Sequence, residues 1–103
     1  MNVLYQSEVI EFIGKLEKPT QAKILRSIEL IEQYGRNLGM PHVRKVTTRL
    51  YELRIRGRQE IRIFYFFHKE NAFLVHGIIK KTQKIPKREV ETAMKRIPPL
   101  TDI

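Results

Sequence analysis

The sequence predicts an α+β fold, with helices at both ends and a small, mainly antiparallel sheet between them. Two observations carry this expectation. Apolar residues recur at three- and four-residue spacing over residues 7–35 and again near the C-terminus. Between them, LYELRIRGRQEIRIFYFFHKENAFLVHGIIKKTQK (50–84) holds three runs with strand character. At 103 residues the chain is large enough for one core and too small for two, so one domain over 1–103 is expected.

Residues 1–6 fit either a short strand or a lead-in. Ser7 suits an N-cap, with Glu8 in the first turn and Val9, Ile10, Ile13 and Leu16 on one helical face. This helix ends before Lys18-Pro19, and Pro19 suits the opening of a second helix. There Ile24, Leu25, Ile28, Ile31 and Tyr34 form a stripe, and Gly35 sits where a C-terminal cap belongs. Lys23, Arg26, Glu29 and Glu32 read as its solvated face. The two antiparallel helices are expected to cover one face of the sheet. Residues 36–49 are irregular because Gly39 and Pro41 block a long helix, while Val43 and Val46 suggest a short extended piece. A third helix is expected from about Pro86 to Ile97, with Glu89 in its first turn, Val90, Met94 and Ile97 as a narrow stripe, and Pro98-Pro99 as its stop.

The three strands are Tyr51–Arg56, Glu60–His68 and Ala72–Lys80. Tyr51, Leu53 and Ile55 alternate with Glu52, Arg54 and Arg56, whereas Phe64 to Phe67 is continuously apolar and is expected to be covered on both faces. Keeping Leu53 and Ile55 on the face of Ile61 and Ile63 centres the first hairpin near Arg58, because a one-residue slip would drive Arg62 into the core. Arg54 then faces Arg62, and Glu60 lies beside Arg56. With Lys69, Glu70 and Asn71 as the next turn, Arg62 faces Ile78 and Glu60 faces Lys80. Arg54, Arg56, Arg62 and Lys80 then share one face. Two facing arginines cost roughly 0.2 to 1 kcal/mol unless an anion sits between them, so the hairpin reads as built for an anion. Glu52 points to the same face and is expected to hold Arg54 in place. Tyr51 and Tyr65 fall on the opposite face, and the phenylalanines at strand spacing read as core rather than as base-stacking platforms.

Composition narrows the function. The chain carries 42% hydrophobic and 30% charged residues, an ordinary globular balance. No apolar run approaches the roughly 20 residues of a membrane span, and MNVLYQSEVIEF lacks a signal-peptide layout, so a cytoplasmic protein is expected. Zero cysteines exclude disulfides and thiolate metal sites, and His42, His68 and His76 lack zinc-ligand spacing, so neither metal nor cofactor is expected. The net charge is +9, and all the excess lies after residue 40: residues 1–40 hold five Lys/Arg and five Asp/Glu, and residues 41–103 hold fifteen and six. Such asymmetry is an electrostatic footprint for a polyanion, most often nucleic acid.

Taken together, YELRIR, RIFYFF (62–67) and HGIIKKTQKIPKRE (76–89), with SEVIEFI and YGRNLGMPHVRKV before them, resemble the RelE/HigB superfamily of toxin–antitoxin toxins, in its phage-derived HigB-like branch. The resemblance spans nearly the whole chain. It implies N-terminal helices and a C-terminal helix packed on a small sheet, cleavage of mRNA in the ribosomal A site, and a helix-turn-helix antitoxin as partner. It places Arg54 and Arg56 on the first basic strand, Arg62 on the next, and Lys80, Lys81 and Lys84 on the basic turn after the last strand. The stretch Arg88 to Ala93 lacks the tyrosine often found in the final helix of strong nucleases, so the resemblance supplies no general base.

RNA cleavage by its own 2′-hydroxyl needs an aligned backbone, cations for the phosphorane and a proton carrier. Arginine suits the second role because its guanidinium forks two hydrogen bonds onto phosphate oxygens. The expected catalytic set is Arg54, Arg62, Lys80 and Lys81, with proton transfer by Lys80, Lys81, Lys84 or His76. Further RNA contacts are expected from Arg44, Lys45, Arg49, Arg56, Arg58, Lys84 and Lys87, with Glu52 and His76 in support. His76, mid-strand between Leu74 and Ile78, equally fits a structural histidine, and Lys80 equally fits a plain ion pair with Glu60. Two other functions fit the residues: a ParE-like inhibitor of DNA gyrase, and a nucleic-acid-binding module without catalysis.

Overall fold

The structure, a computed structural model, describes residues 1–98. Pro99, half of the expected helix stop, lies outside them. The chain runs β1 (Asn2–Tyr5), α1 (Ser7–Gly14), α2 (Lys18–Tyr34), a 3-10 turn (Gly35–Asn37), β2 (Val43–Lys45), β3 (Tyr51–Ile55), β4 (Ile61–His68), β5 (Asn71–Ile79) and α3 (Lys87–Lys95). The five strands form one sheet in the order β1-β5-β4-β3-β2. Only β1 is parallel to its neighbour, β5. The α+β fold is therefore as expected, and residues 1–6 resolve into an edge strand.

Two apolar layers enclose the sheet, as the unbroken run Phe64–Phe67 requires. On one face Ile61, Ile63, Tyr65, Leu53 and Leu74 meet Val9 of α1 and Ile24, Ile28 and Ile31 of α2. On the other, Leu50, Phe64, Phe66, Val75 and Ile78 meet Ala93 of α3 and Ile97 just after it. Fully burying an aliphatic or aromatic side chain stabilises by about 1.5 to 3 kcal/mol, so these layers hold the strands in one register. Ile10 and Leu25, expected in the core, are 58% and 57% exposed. Each neighbours a position that does face the sheet, and the apolar stripe on each helix is narrower than the sequence suggests. Gln6, not Ser7, occupies the N-cap of α1. Gly35 caps α2 with φ of +55°, a left-handed conformation that glycine adopts without steric cost.

The β3–β4 hairpin centres on Arg58, with Ile55 opposite Ile61 and Arg54 opposite Arg62. The β4–β5 turn differs from expectation. His68 pairs with Asn71, so Lys69 and Glu70 alone make the turn, with Lys69 in the left-handed region at φ of +56°. A bulge restores the register: Phe64 pairs with His76 but Tyr65 with Leu74, leaving Val75 as an extra residue. Beyond it, Arg62 faces Ile78 as expected. Gly77 matters for packing here, because a Cβ on it would stand 2.5 Å from the Phe12 ring of α1.

Candidate functional site

α3 covers only part of the second sheet face. Beside it, Glu52 and Arg54 of β3 and Arg62 of β4 share that face. A cleft of about 330 Å³ opens there, lined by these three, by Arg44 of β2, by Lys80, Lys84 and Ile85 after β5, and by Val90 of α3. Strand alternation thus supplies its floor, and the basic turn its wall.

Glu52 organises the floor. Its carboxylate lies 3.3 Å from Arg44 Nε, 3.9 Å from Arg54 Nε and 3.8 Å from Arg62 Nε. Arg62 Nη1 also approaches Glu60 at 3.5 Å and donates to the Ile61 carbonyl at 2.9 Å. An anion between the facing arginines is therefore built in, with Glu52 nearer to Arg44 than to Arg54. Glu52 and Arg62 are each 1% exposed. Burial holds the Arg62 guanidinium below its ordinary value, with Arg54 and Arg56 pushing the same way and Glu52 and Glu60 opposing. It stays charged near neutrality, since guanidinium starts so high. Arg54 is less enclosed, with 16% of its side chain exposed. Among the described residues, its Nε and Glu52 Oε2 are buried without hydrogen bonds, and its Nη1 reaches the Met40 sulfur at 3.7 Å.

Of the residues expected at the site, Arg44, Arg54, Arg62, Lys80, Lys84 and Glu52 come together in the cleft. Others do not. Arg56 lies past the end of β3, where it lines a separate cleft with α2. Lys45 pairs with Tyr51 and stands 5.9 Å from that ring, on the helix-covered face. Lys81, Arg49, Arg58 and Lys87 are exposed outside the cleft lining. The Glu60 carboxylate turns to Arg62 and to the Gly57 N–H at 3.3 Å, while Lys80 meets Glu60 through its backbone at 2.7 Å. His76 shares the sheet face of Arg62 but sits beneath α3, with Nε2 2.8 Å from Glu89 and Nδ1 3.1 Å from Arg96 Nη1. It fastens the helix and does not line the cleft. The apolar wall residues Val46, Ile85 and Val90 were not foreseen at the site, although Val90 had a signal in its helical stripe.

Residues 11–98 match the family described as phage-derived protein Gp49-like (DUF891). The chain belongs to that family. No curated protein sequence matches this Gp49-like chain. Solved structures share its fold: the isolated E. coli RelE toxin is 13% identical, with 94% of this chain and 98% of that one covered at a TM-score of 0.65. YoeB from Staphylococcus aureus, as a dimer and in a heterotetrameric toxin–antitoxin complex with YefM, is 18% identical, with 80% of this chain and 97% of that one covered at a TM-score of 0.57. The Gp49-like chain therefore has the RelE-type fold, with its cationic cleft beside the C-terminal helix.

Proposed function

We propose that this Gp49-like chain is the toxin of a type II toxin–antitoxin system, of the HigB-like branch, and cleaves mRNA on the ribosome. The observation that carries the reading is the cleft, where Arg44, Arg54, Arg62, Lys80 and Lys84 surround one carboxylate, Glu52, among the described lining residues. Even after Glu52 is counted, a clear excess of positive charge faces the opening. A phosphodiester approaching in-line attack gains a second negative charge, and preorganised cations stabilise that state more than the ground state.

In this mechanism the 2′-oxygen bonds to phosphorus and the bond to the 5′-oxygen breaks. Arg54, the more open of the two central arginines, contacts the phosphate oxygens. Arg62 acts from beneath by fixing Glu52 and the local field. The 2′-hydroxyl proton leaves to water, the departing 5′-oxygen takes a proton from the Lys80 or Lys84 ammonium, and both lysines offset the charge growing on the phosphate. The structural likeness to YoeB in its complex with YefM supports an antitoxin partner, which we take to be a helix-turn-helix protein.

The test is an mRNA carrying a single 2′-deoxynucleotide at the mapped cleavage position, incubated with protein and ribosomes. Loss of that cut alone is expected, with the unmodified message cut to a 2′,3′-cyclic phosphate end. Cutting that persists at the deoxynucleotide would exclude 2′-hydroxyl attack, and equal cutting without ribosomes would exclude ribosome dependence.

A further inference from the structure

A second cationic cleft, of about 370 Å³, lies between α2 and the end of β3. Lys23 and Arg26 of α2, His42, Arg54 and Arg56 line it, and the described lining residues include no Asp or Glu. The sequence disguises it: Lys23, Arg26, Ser27 and Leu30 follow the spacing i, i+3, i+4, i+7, the mark of one helix face, yet the charged pair reads as solvated surface. Two contacts build the site. Lys23 Nζ donates to the Arg56 carbonyl at 3.3 Å, tying the helix to the strand end. Gly57 leaves the room for it, since a Cβ there would collide with Lys23 Nζ.

Arg54 lines both clefts. Its Nε is buried, but its Nη1 has just a long sulfur contact among the described residues, so guanidinium donors at the outer end remain for a ligand. In the first cleft Glu52 offsets part of the charge, whereas no lining carboxylate offsets it in the second. Like charges gathered without a counter-ion repel, and an arrangement of this kind is relieved by an anion.

We propose that this cleft is an accessory phosphate-binding site, in which Lys23, Arg26 and Arg56 hold the RNA backbone beyond the scissile phosphate and Arg54 joins the two clefts. The inference rests on the RNA-cleaving function proposed above. It adds α2, a helix outside the catalytic face, to the substrate path.

Binding of 2′-O-methyl RNA, which cannot undergo 2′-hydroxyl attack, is measured by fluorescence anisotropy against salt for a tetranucleotide and a dodecamer. The proteins are wild type, Lys23→Gln/Arg26→Gln and the charge-preserving Lys23→Arg. Each phosphate contact on a single strand contributes about 0.7 to the slope of log K against log salt. The double variant is expected to lose about 1.4 from the dodecamer slope, with the tetranucleotide unchanged and Lys23→Arg like wild type. A dodecamer slope unchanged in the double variant, while wild type binds both RNAs, overturns the second site alone. Wild-type protein that binds neither RNA overturns both this inference and the function beneath it. A polyglutamate peptide whose binding needs Lys23 and Arg26 while the RNA slopes do not would assign the cleft to an acidic protein segment instead, and would overturn the inference.

Discussion

Glu52 pairs with three arginines, and water barely reaches it or Arg62, so its loss affects stability as well as the site. Glu52→Gln leaves Arg62 with Glu60 as its remaining carboxylate, and breaking a buried pair costs roughly 3 to 5 kcal/mol. Urea unfolding of the variant is expected to show a loss in that range, and a loss below about 1 kcal/mol would mean the pairs contribute little. Tyr65 gives a contrasting case. Burial, and secondarily Tyr51, pushes its phenol well above its ordinary value, and its hydroxyl has no hydrogen-bond partner among the described residues. The folded state therefore keeps the proton that the unfolded chain releases above about pH 10. Stability from this group is complete below that pH and declines above it, by up to roughly 1.4 kcal/mol per pH unit. Tyr65→Phe is expected to flatten the alkaline limb of the stability curve without loss at neutral pH, and an identical alkaline decline in the variant would contradict this. The directions of Glu52, Arg54, Arg62 and Tyr65 were legible because strand parity fixes them. That Glu52 and Arg62 are buried was not, since the same alternation describes an exposed face.

α3 is held to the sheet by His76, Glu89 and Arg96 as well as by its apolar stripe. Arg96 can only donate, so His76 Nδ1 accepts and its proton sits on Nε2, facing Glu89. Arg96 Nη1 also donates to the carbonyl of the bulge residue Val75 at 2.8 Å, and the Arg96 carbonyl accepts from Gln6 Nε2 at 3.0 Å. The bulge, the helix end and the α1 cap therefore form one linked unit. His76→Ala is expected to cost about 1 to 3 kcal/mol and to speed amide exchange in α3 selectively. Uniform exchange across the sheet and α3 would show that the latch is not local. The helices and the first hairpin could be read from period and parity. The bulge at Val75 and the two-residue turn at Lys69-Glu70 could not, because a three-residue turn without a bulge gives the same pairing of Arg62 with Ile78. The partner of β1 was equally hidden, since its pairing with β5 is separated by most of the chain.

Across the molecule, six of the fifteen Lys and Arg residues after position 40, Arg44, Arg54, Arg56, Arg62, Lys80 and Lys84, line two cationic clefts that meet at Arg54. The sequence placed the excess in the sheet half, yet α2, from the charge-balanced half, supplies Lys23 and Arg26 to the second cleft. Chain proximity could not reveal that juxtaposition, which depends on how α2 packs over β3. The first cleft carries the functional claim, and removing Arg54, Lys80 and Lys84 rather than the buried Arg62 tests it with less risk to the fold. The decisive measurement maps 5′ ends on a defined mRNA during translation in a purified ribosomal system, comparing wild type with Arg54→Ala and Lys80→Ala/Lys84→Ala. Cuts within the reading frame are expected for wild type, and their rate is expected to fall on the order of 100- to 1000-fold in the variants. Absence of cuts by folded wild-type protein, or full activity in both variants, would contradict an RNA-cleaving cleft.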